Sequence, residues 1–411
     1  MKKLKLIGLS LFCLFTFSSI KQVQSKDYQY YWLKVSAHDK FQRSVIANTG
    51  VAIEIVKDDY VIAYGNDLQK EALEKLGWLE AASNLAFEKD FPTKDSAYHN
   101  YAELTDAITK LANENPDIVK MTSIAKTNEG RDIWALQITA DHAHASDKPA
   151  AIFMGGHHAR EHLSVEMPLL WAQYLVTQFR GGNPRVIGLL NSRDVHIIPV
   201  VNPDGMEYDI KDGSYKMWRK NRSRNANGTY GVDLNRNYGY QWGTGGSSSD
   251  GNNETYMGPK AFSEIESTAI KNYVDTHTNI TILLSFHSFS KLILYPWGHK
   301  YAGIETANDK LVHEKMATTM AEWNGYQPQQ SSELYIASGD TTDWSYGVHK
   351  IISFTFELDP ANNGFGGGGF YPGPGVIDPV FQKNLEPLLY LLDYSDNPYR
   401  VLNVGIGPIK P

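Results

Sequence analysis

Residues 150–164, AAIFMGGHHAREHLS, constrain this chain more than any other stretch. An apolar run (Ala150, Ala151, Ile152, Phe153, Met154) stops at Gly155-Gly156 and hands over to His157, His158, Arg160, Glu161 and His162. A short apolar run bounded by glycines suits a buried strand. Beyond it Met167, Leu170, Trp171, Tyr174 and Leu175 recur at helical spacing up to Gly181-Gly182, with Pro168 expected to bend the first turns. Side chains able to hold a metal therefore sit where a central strand gives way to a helix. Open α/β sheets bind ligands outside the carboxyl ends of their strands, so this junction is a candidate active site.

From residue 90 onward the pattern is α/β. Residues 101–113 predict a helix, and 121–125 with 133–139 alternate around Asn128-Glu129-Gly130 as a hairpin. Residues 195–201 read as a strand ending in the turn Asn202-Pro203-Asp204-Gly205. Residues 214–251 are polar, glycine-rich and irregular, and long segments of that kind are often functional. Ser263-Glu264-Ile265-Glu266 reads as a capping box. Strands over 282–286 and 292–295 flank His287-Ser288, a helix covers 309–323, and a final helix covers 379–392. Between the last two, residues 351–358 (IISFTFEL) form a buried strand with a single acid, Glu357.

Ahead of this body, residues 27–89 predict a small β-α-β-β-α module of the α+β type. Its strands lie at 31–35, 51–56 and 60–63, with a clear amphipathic helix over 68–78 and a weaker one over 38–47. Glu88-Lys89-Asp90-Phe91-Pro92 suits a linker or a processing point. Read by itself, the module is either an ordinary N-terminal domain or a removable pro-segment.

The 411 residues suit two folded units, and a net charge of −7 gives no reason to expect a nucleic-acid partner. Residues 1–25 combine a basic start (Lys2, Lys3, Lys5), an apolar centre over 6–20 and a cleavage site at Val23-Gln24-Ser25, which predicts an exported, extracellular protein. A membrane anchor fits less well, because the apolar run is short and interrupted by Ser and Thr. Cys13 is the only cysteine, and bulky Phe12 before it argues against a lipoprotein site. Once this segment is removed no thiol and no membrane attachment remain, so a metal site must be built from His and carboxylates.

His158 and Glu161 are three apart and share one face of a helical turn. A catalytic zinc takes three protein ligands and keeps a place for water. His287, in the apolar context LLSFHSFSKLILYP, is the best third candidate, since an unpartnered imidazole there is costly. The pair His158 and His162 competes, but a zincin places Glu directly after its first His, and here Ala159 stands there. His157 and His162 are read as structural. Spacing alone does not decide between a zinc site and buried histidines satisfied by hydrogen bonds.

Several ordered segments bear on that choice: HHAREH at 157–162, NPDG at 202–205, WRKNR at 218–222, GVDLNRN at 231–237, SFHSFS at 285–290, LYIASGDTTDWSYG at 334–347 and FTFEL at 354–358. Together they resemble the zinc carboxypeptidases of the carboxypeptidase A/B type, nearest to the secreted bacterial carboxypeptidase T branch, over residues 90–399. The resemblance implies a mixed, twisted central β-sheet flanked by helices. With residues 1–25 read as signal peptide, it favours 26–89 as an inhibitory pro-domain and 90–399 as the enzyme, followed by a tail at 400–411. It further implies one Zn2+ held by His158, Glu161 and His287, with Glu357 as general base and Arg219 as oxyanion stabiliser. Asn235, Arg236 and Tyr335 would hold the substrate's terminal carboxylate, and Arg160 would line the site. Peptide or protein C-termini would be the partners of a monomeric enzyme.

The chemistry suits these residues. A carboxylate on a buried strand beside a cation can be tuned as a base, whereas Glu357 as a plain ion-pair partner is the simpler alternative. Arg219 stands in a basic run, Arg219-Lys220-Asn221-Arg222-Ser223-Arg224, which would otherwise read as solvated surface. Arg236 can grip a carboxylate with two parallel hydrogen bonds, and Asn235 can add another. Asp233 is a candidate acceptor for the second nitrogen of His158, or else a turn residue. Tyr335, near Gly339, is a candidate lid or a surface aromatic. Asp340 and Thr342 fall where relatives line the pocket for the last side chain, which predicts a mixed preference for apolar and basic residues. Asp141 and Asp147 alone do not make a calcium site in the loop at 140–148. The rival readings are a hydrolase of cell-wall peptides on the same fold and an inactive binding protein.

Overall fold

The computed structural model describes residues 29–84, 95, 97–360 and 369–403. The signal segment, the junction at 88–92, part of the glycine-rich stretch at 364–374 and most of the tail at 400–411 lie outside the described residues.

The N-terminal module runs β1 (Tyr30–Ser36), α1 (Lys40–Ala47), β2 (Ala52–Val56), β3 (Tyr60–Asn66), α2 (Asp67–Lys75) and β4 (Leu79–Asn84). Its antiparallel sheet has the order β2-β3-β1-β4. Alternation along the strands sends Leu33, Val35, Val61 and Ala63 toward Ile46 and Leu73 of the helices. The opposite face, with Trp32, Ile62 and Tyr64, packs on Met217, Phe289 and Phe370 of the main body. The sheet is thus covered on both sides, by its own helices and by the rest of the chain. β4 (LEAASN) was not expected, for it has no β-branched residue; the free edge of β1 recruits it.

The main body continues α3 (Tyr101–Glu114), β5 (Val119–Lys126), β6 (Asp132–Ile138), β7 (Ala150–Met154), α4 (Leu163–Arg180), α5 (Pro184–Ser192), β8 (Asp194–Ile198) and α6 (Pro203–Asp209). It then runs α7 (Ile265–Thr276), β9 (Ile280–Ser288), β10 (Leu292–Tyr295), α8 (Ala307–Asn324), β11 (Gln327–Gln330), α9 (Thr341–His349), β12 (Ile352–Leu358) and α10 (Ile377–Tyr394). The eight-stranded sheet has the order β11-β10-β12-β9-β7-β8-β6-β5. Its centre, β12-β9-β7-β8, is parallel, and antiparallel pairs join β10 to β12, β8 to β6 and β6 to β5. This is the expected mixed sheet flanked by helices.

β7 shows why a continuous apolar run forms here. Ala151 and Phe153 face the layer of α3, α4, α5, α8 and α10, while Ala150, Ile152 and Met154 face that of α7 and α9. Both faces are dry, so every position of the strand is apolar. α4 runs on through Pro168, which has no N–H for the Ser164 carbonyl. That carbonyl lies against Gly155, where a Cβ would stand 1.9 Å from its oxygen. Glycine is therefore required at the strand end.

Two local readings change. Asn202-Pro203-Asp204-Gly205 is a helix start rather than a plain turn: Asn202 Oδ1 accepts from Gly205 N at 3.0 Å, and Pro203 takes the first helical position. The capping box at 263–266 does not form. α7 begins one residue later than that box requires, and the Ser263 hydroxyl donates to Glu264 instead of capping. Among the described residues no helix is long and apolar enough to cross a membrane.

Candidate active site and metal centre

Three parallel strands end side by side and carry the chemistry. Register pairs Glu357 of β12 with His287 of β9, and Met154 of β7 with Ser285 of β9. The turn after β7 then returns His158 and Glu161 over the end of β9. His158 Nδ1 lies 2.7 Å from Glu161 Oε1 and 3.1 Å from His287 Nδ1, and His287 Nδ1 lies 3.0 Å from Glu161 Oε2. Among the described residues this is the one cluster of its kind, and all its members are buried.

The donor set fits zinc. Two imidazole nitrogens facing each other at 3.1 Å, beside a carboxylate, present lone pairs to a common point. A tetrahedral ion with bonds of about 2.0–2.2 Å sets its ligand atoms roughly 3.3 Å apart, close to the separations found. His158 Nε2 meets Asp233 Oδ1 at 3.1 Å, which leaves Nδ1 bare for a metal. Burial alone would raise the Glu161 carboxyl, but His158 and His287 outweigh it and hold Glu161 low.

Around this centre lies a cleft of about 780 Å³, counting the part open to solvent. Arg219, Asn235, Arg236, Tyr335, Asp340, Thr342 and Glu357 all line it, together with His158 and Glu161. Arg219 is tied to the metal loop by the Ala159 N–H, which donates to its carbonyl at 3.0 Å, and its Nε donates to Asp233 at 3.0 Å. Burial would raise Asp233, yet Arg219 and His158 keep it well below the usual carboxylate range. Glu357 is pushed well up, by burial first and then by Glu161 and Glu54, against the pull of Arg219 and Arg236. Arg236 donates through Nε to Gly246 O at 3.0 Å and through Nη1 to Asn235 O at 2.8 Å, so Nη2 remains for a ligand. Gly339, at φ +77°, brings its loop against the Arg236 backbone, where a Cβ would stand 2.5 Å from the carbonyl.

Asp340 caps α9, accepting from Asp343 N at 2.8 Å and from Thr342 Oγ1 at 2.7 Å through Oδ1, while Oδ2 is buried with no partner. Leu292, Leu294 and Thr355 line the same cleft, so an acid and apolar groups face one space. Burial, and then the Asp343 carboxylate, push Asp340 up to about 7.

Two sequence-level expectations need refinement. Arg160 is wholly buried and is not part of the cleft wall: it pairs with Glu54 and with Glu254 at 3.3 Å, and Nη1 donates to Met217 O at 3.1 Å. Tyr335 lines the cleft, but its hydroxyl reaches Ile53 O of the N-terminal module at 3.4 Å. Glu54 itself was missed. It lies at a register shift in β2 that sends Ile53 to the helix face and Ile55 to the opposite face. Its side chain, 5% exposed, meets Arg160 and stands 3.9 Å from Arg219. A lone acid in the apolar strand AIEIV was the available signal.

A parallel-strand crevice holding two imidazoles, a carboxylate and a set of arginines defines a metallohydrolase for substrates with an anionic end. Comparison with known proteins narrows this. The zinc carboxypeptidase family profile matches residues 104–387, and the chain belongs to that family of zinc-dependent peptidases acting on peptide C-termini. It is 36% identical over 373 residues to a zinc carboxypeptidase of Saccharothrix mutabilis subsp. capreolus, covering 88% of this chain and 82% of that one. Rat carboxypeptidase A2 is 31% identical over 361 residues, covering 86% and 81%. The crystal structure of carboxypeptidase A from Helicoverpa armigera superposes with a TM-score of 0.75 at 25% identity, covering 92% of this chain and 98% of that one.

Proposed function

We propose that the chain is made as an exported zymogen whose mature part releases the C-terminal residue of peptides, with a mixed preference for apolar and basic residues. The observation that carries this reading is the single cleft shared by the metal centre, Glu357 and the Asn235–Arg236 pair. Bound zinc acidifies water and polarises a carbonyl. Glu357, facing His287 across two strands, accepts a proton from the attacking water and returns it to the departing amine. Arg219 offers a guanidinium, braced by Asp233, to the carbonyl oxygen as negative charge gathers there. Arg236 and Asn235 bind the free terminal carboxylate, which makes the enzyme an exopeptidase, since an internal amide leaves a buried guanidinium unsatisfied.

The N-terminal module supports the zymogen reading. Glu54 occupies Arg160 and approaches Arg219, Ser290 Oγ bonds the Glu54 carbonyl at 3.3 Å, and Arg43 Nε donates to Leu334 O at 2.6 Å beside Tyr335. Export rests on the basic start and apolar centre of residues 1–25.

A peptide with a free C-terminus and its C-terminal amide, offered side by side to the mature enzyme, test the function. Release of the last residue from the free form alone is expected; equal cleavage of both, or cleavage of cell-wall peptides only, overturns it. Asp340 adds a pH signature. As pH rises through about 7 its buried carboxyl ionises and gains attraction for a cationic side chain. The ratio of kcat/KM for C-terminal Arg over Leu should therefore climb between pH 6 and 8 by roughly tenfold, about 1.4 kcal/mol. A flat ratio counts against Asp340 as the pocket acid.

A further inference from the structure

His157 has no part in the proposed reaction, yet it is fully buried between the metal centre and the carboxylate clamp. Its ring stacks at 5.5 Å from that of His287. Nε2 lies 2.9 Å from the Tyr238 hydroxyl and 3.2 Å from Thr341 Oγ1, and Nδ1 lies 3.3 Å from Ser285 Oγ. Thr341 in turn donates twice to Asn235, through N and through Oγ1, each at 3.0 Å.

The direction of the Thr341–Asn235 bonds follows from donor chemistry. A backbone N–H only donates, so the Asn235 atom facing Thr341 N is the carbonyl Oδ1. The Thr341 hydroxyl proton also goes to Oδ1, which leaves only lone pairs on Oγ1 toward His157. In the tautomer that serves Thr341, His157 Nε2 carries the ring proton with the Tyr238 hydroxyl also beside it, and bare Nδ1 accepts from Ser285. With Oδ1 held from behind, the Asn235 amide has one choice left: Nδ2, for which the described residues offer no hydrogen-bond partner, is its free group on the cleft side.

We infer that Thr341, its hydroxyl aimed by His157, is a positioning residue that fixes the Asn235 amide as a donor to the substrate's terminal carboxylate. This rests on the reading of Asn235 and Arg236 as the carboxylate clamp. A freely rotating amide would present its oxygen to an anion for part of the time. The pair Thr341–His157 removes that state without touching the substrate, since Thr341 is 1% exposed.

The test uses the full chain, expressed and activated, with Thr341→Val, Thr341→Ser, Asn235→Ala, His157→Leu and the double variant Thr341→Val/Asn235→Ala. Asn235→Ala should raise KM for a free-carboxylate peptide. Thr341→Val, which keeps the backbone N–H on Asn235 Oδ1 and removes only the hydroxyl, should raise it roughly two- to fivefold, with kcat within about twofold. Thr341→Ser, which keeps the hydroxyl, should match wild type. In the Asn235→Ala background Thr341→Val should add nothing, a non-additivity that a merely structural role does not produce. His157→Leu, compared at equal zinc content, should reproduce the KM shift. If Asn235→Ala leaves KM unchanged, the clamp reading fails and the inference with it. If Asn235→Ala raises KM but Thr341→Val does not, or the two effects add, the inference alone is overturned.

Discussion

Glu357→Gln leaves a folded protein that still carries one zinc per chain and binds peptides, but its kcat falls by about 10²–10⁴-fold or more. The substitution keeps the size of the side chain and its place opposite His287, and removes only the ability to take a proton. Because Glu357 is not among the three converging ligand atoms, metal content should not change. The pairing of His158 with Asp233 and of Glu161 with Ser288 N–H at 3.1 Å likewise involves no atom of Glu357. Metal analysis alongside single-substrate kinetics reads both arms. Turnover within tenfold of wild type would remove Glu357 from the reaction and return it to the role of an ion-pair partner.

Glu54→Gln acts on the other side of the cleft and in the opposite direction. In the uncleaved chain the Glu54 carboxylate is the N-terminal module's countercharge to two buried guanidiniums. Removing one partner of a buried pair costs roughly 3–5 kcal/mol, and the lower end applies because Arg160 keeps Glu254 and Arg219 keeps Asp233. About 3 kcal/mol corresponds to roughly a hundredfold shift in docking. The uncleaved Glu54→Gln chain should therefore hydrolyse a small peptide at least about tenfold faster than the uncleaved wild type. After processing, the two should be indistinguishable. A second consequence concerns the base. Glu54 is the third influence, after burial and Glu161, that pushes Glu357 toward its protonated form, so loss of the module would ease that push. Equal activity of the two uncleaved chains would mean that the module blocks the site by bulk alone, through contacts such as Arg43 with Leu334 and Tyr335 with Ile53.

How much of this was legible beforehand follows from the range of the forces involved. Periodicity and turn chemistry are local, and they located most elements, including the central strands β7, β9 and β12. They failed where a neighbour supplied the missing reason. β4 exists because β1 has a free edge, and α9 (TTDWSYGVH) begins where Asp340 caps it, a residue already noted for its pocket rather than for its capping oxygen. The capping box at 263–266 failed for a related reason: Ser263 accepts from Asn237 Nδ2 at 2.9 Å and donates to Glu264, so a tertiary contact outbid a local one.

For the site, ligand identity was readable because zinc chemistry restricts the donors, and a chain whose one cysteine, Cys13, lies far from the site segments restricts them further. His158 and Glu161 could be proposed from spacing and His287 from its apolar context, Asp233 stood as a candidate acceptor or a turn residue, and the ordered segments supplied the rest by resemblance. Residue order alone determined which side chains were available and on which strand ends they stood. Only the tertiary structure decided that β12 and β9 lie in a register placing Glu357 beside His287, that a register shift in β2 turns Glu54 onto two arginines, and that Thr341 grips Asn235 from behind. The reason is physical: each of these contacts joins residues far apart in the chain. Their geometry is set by sheet register and packing, which no local pattern encodes.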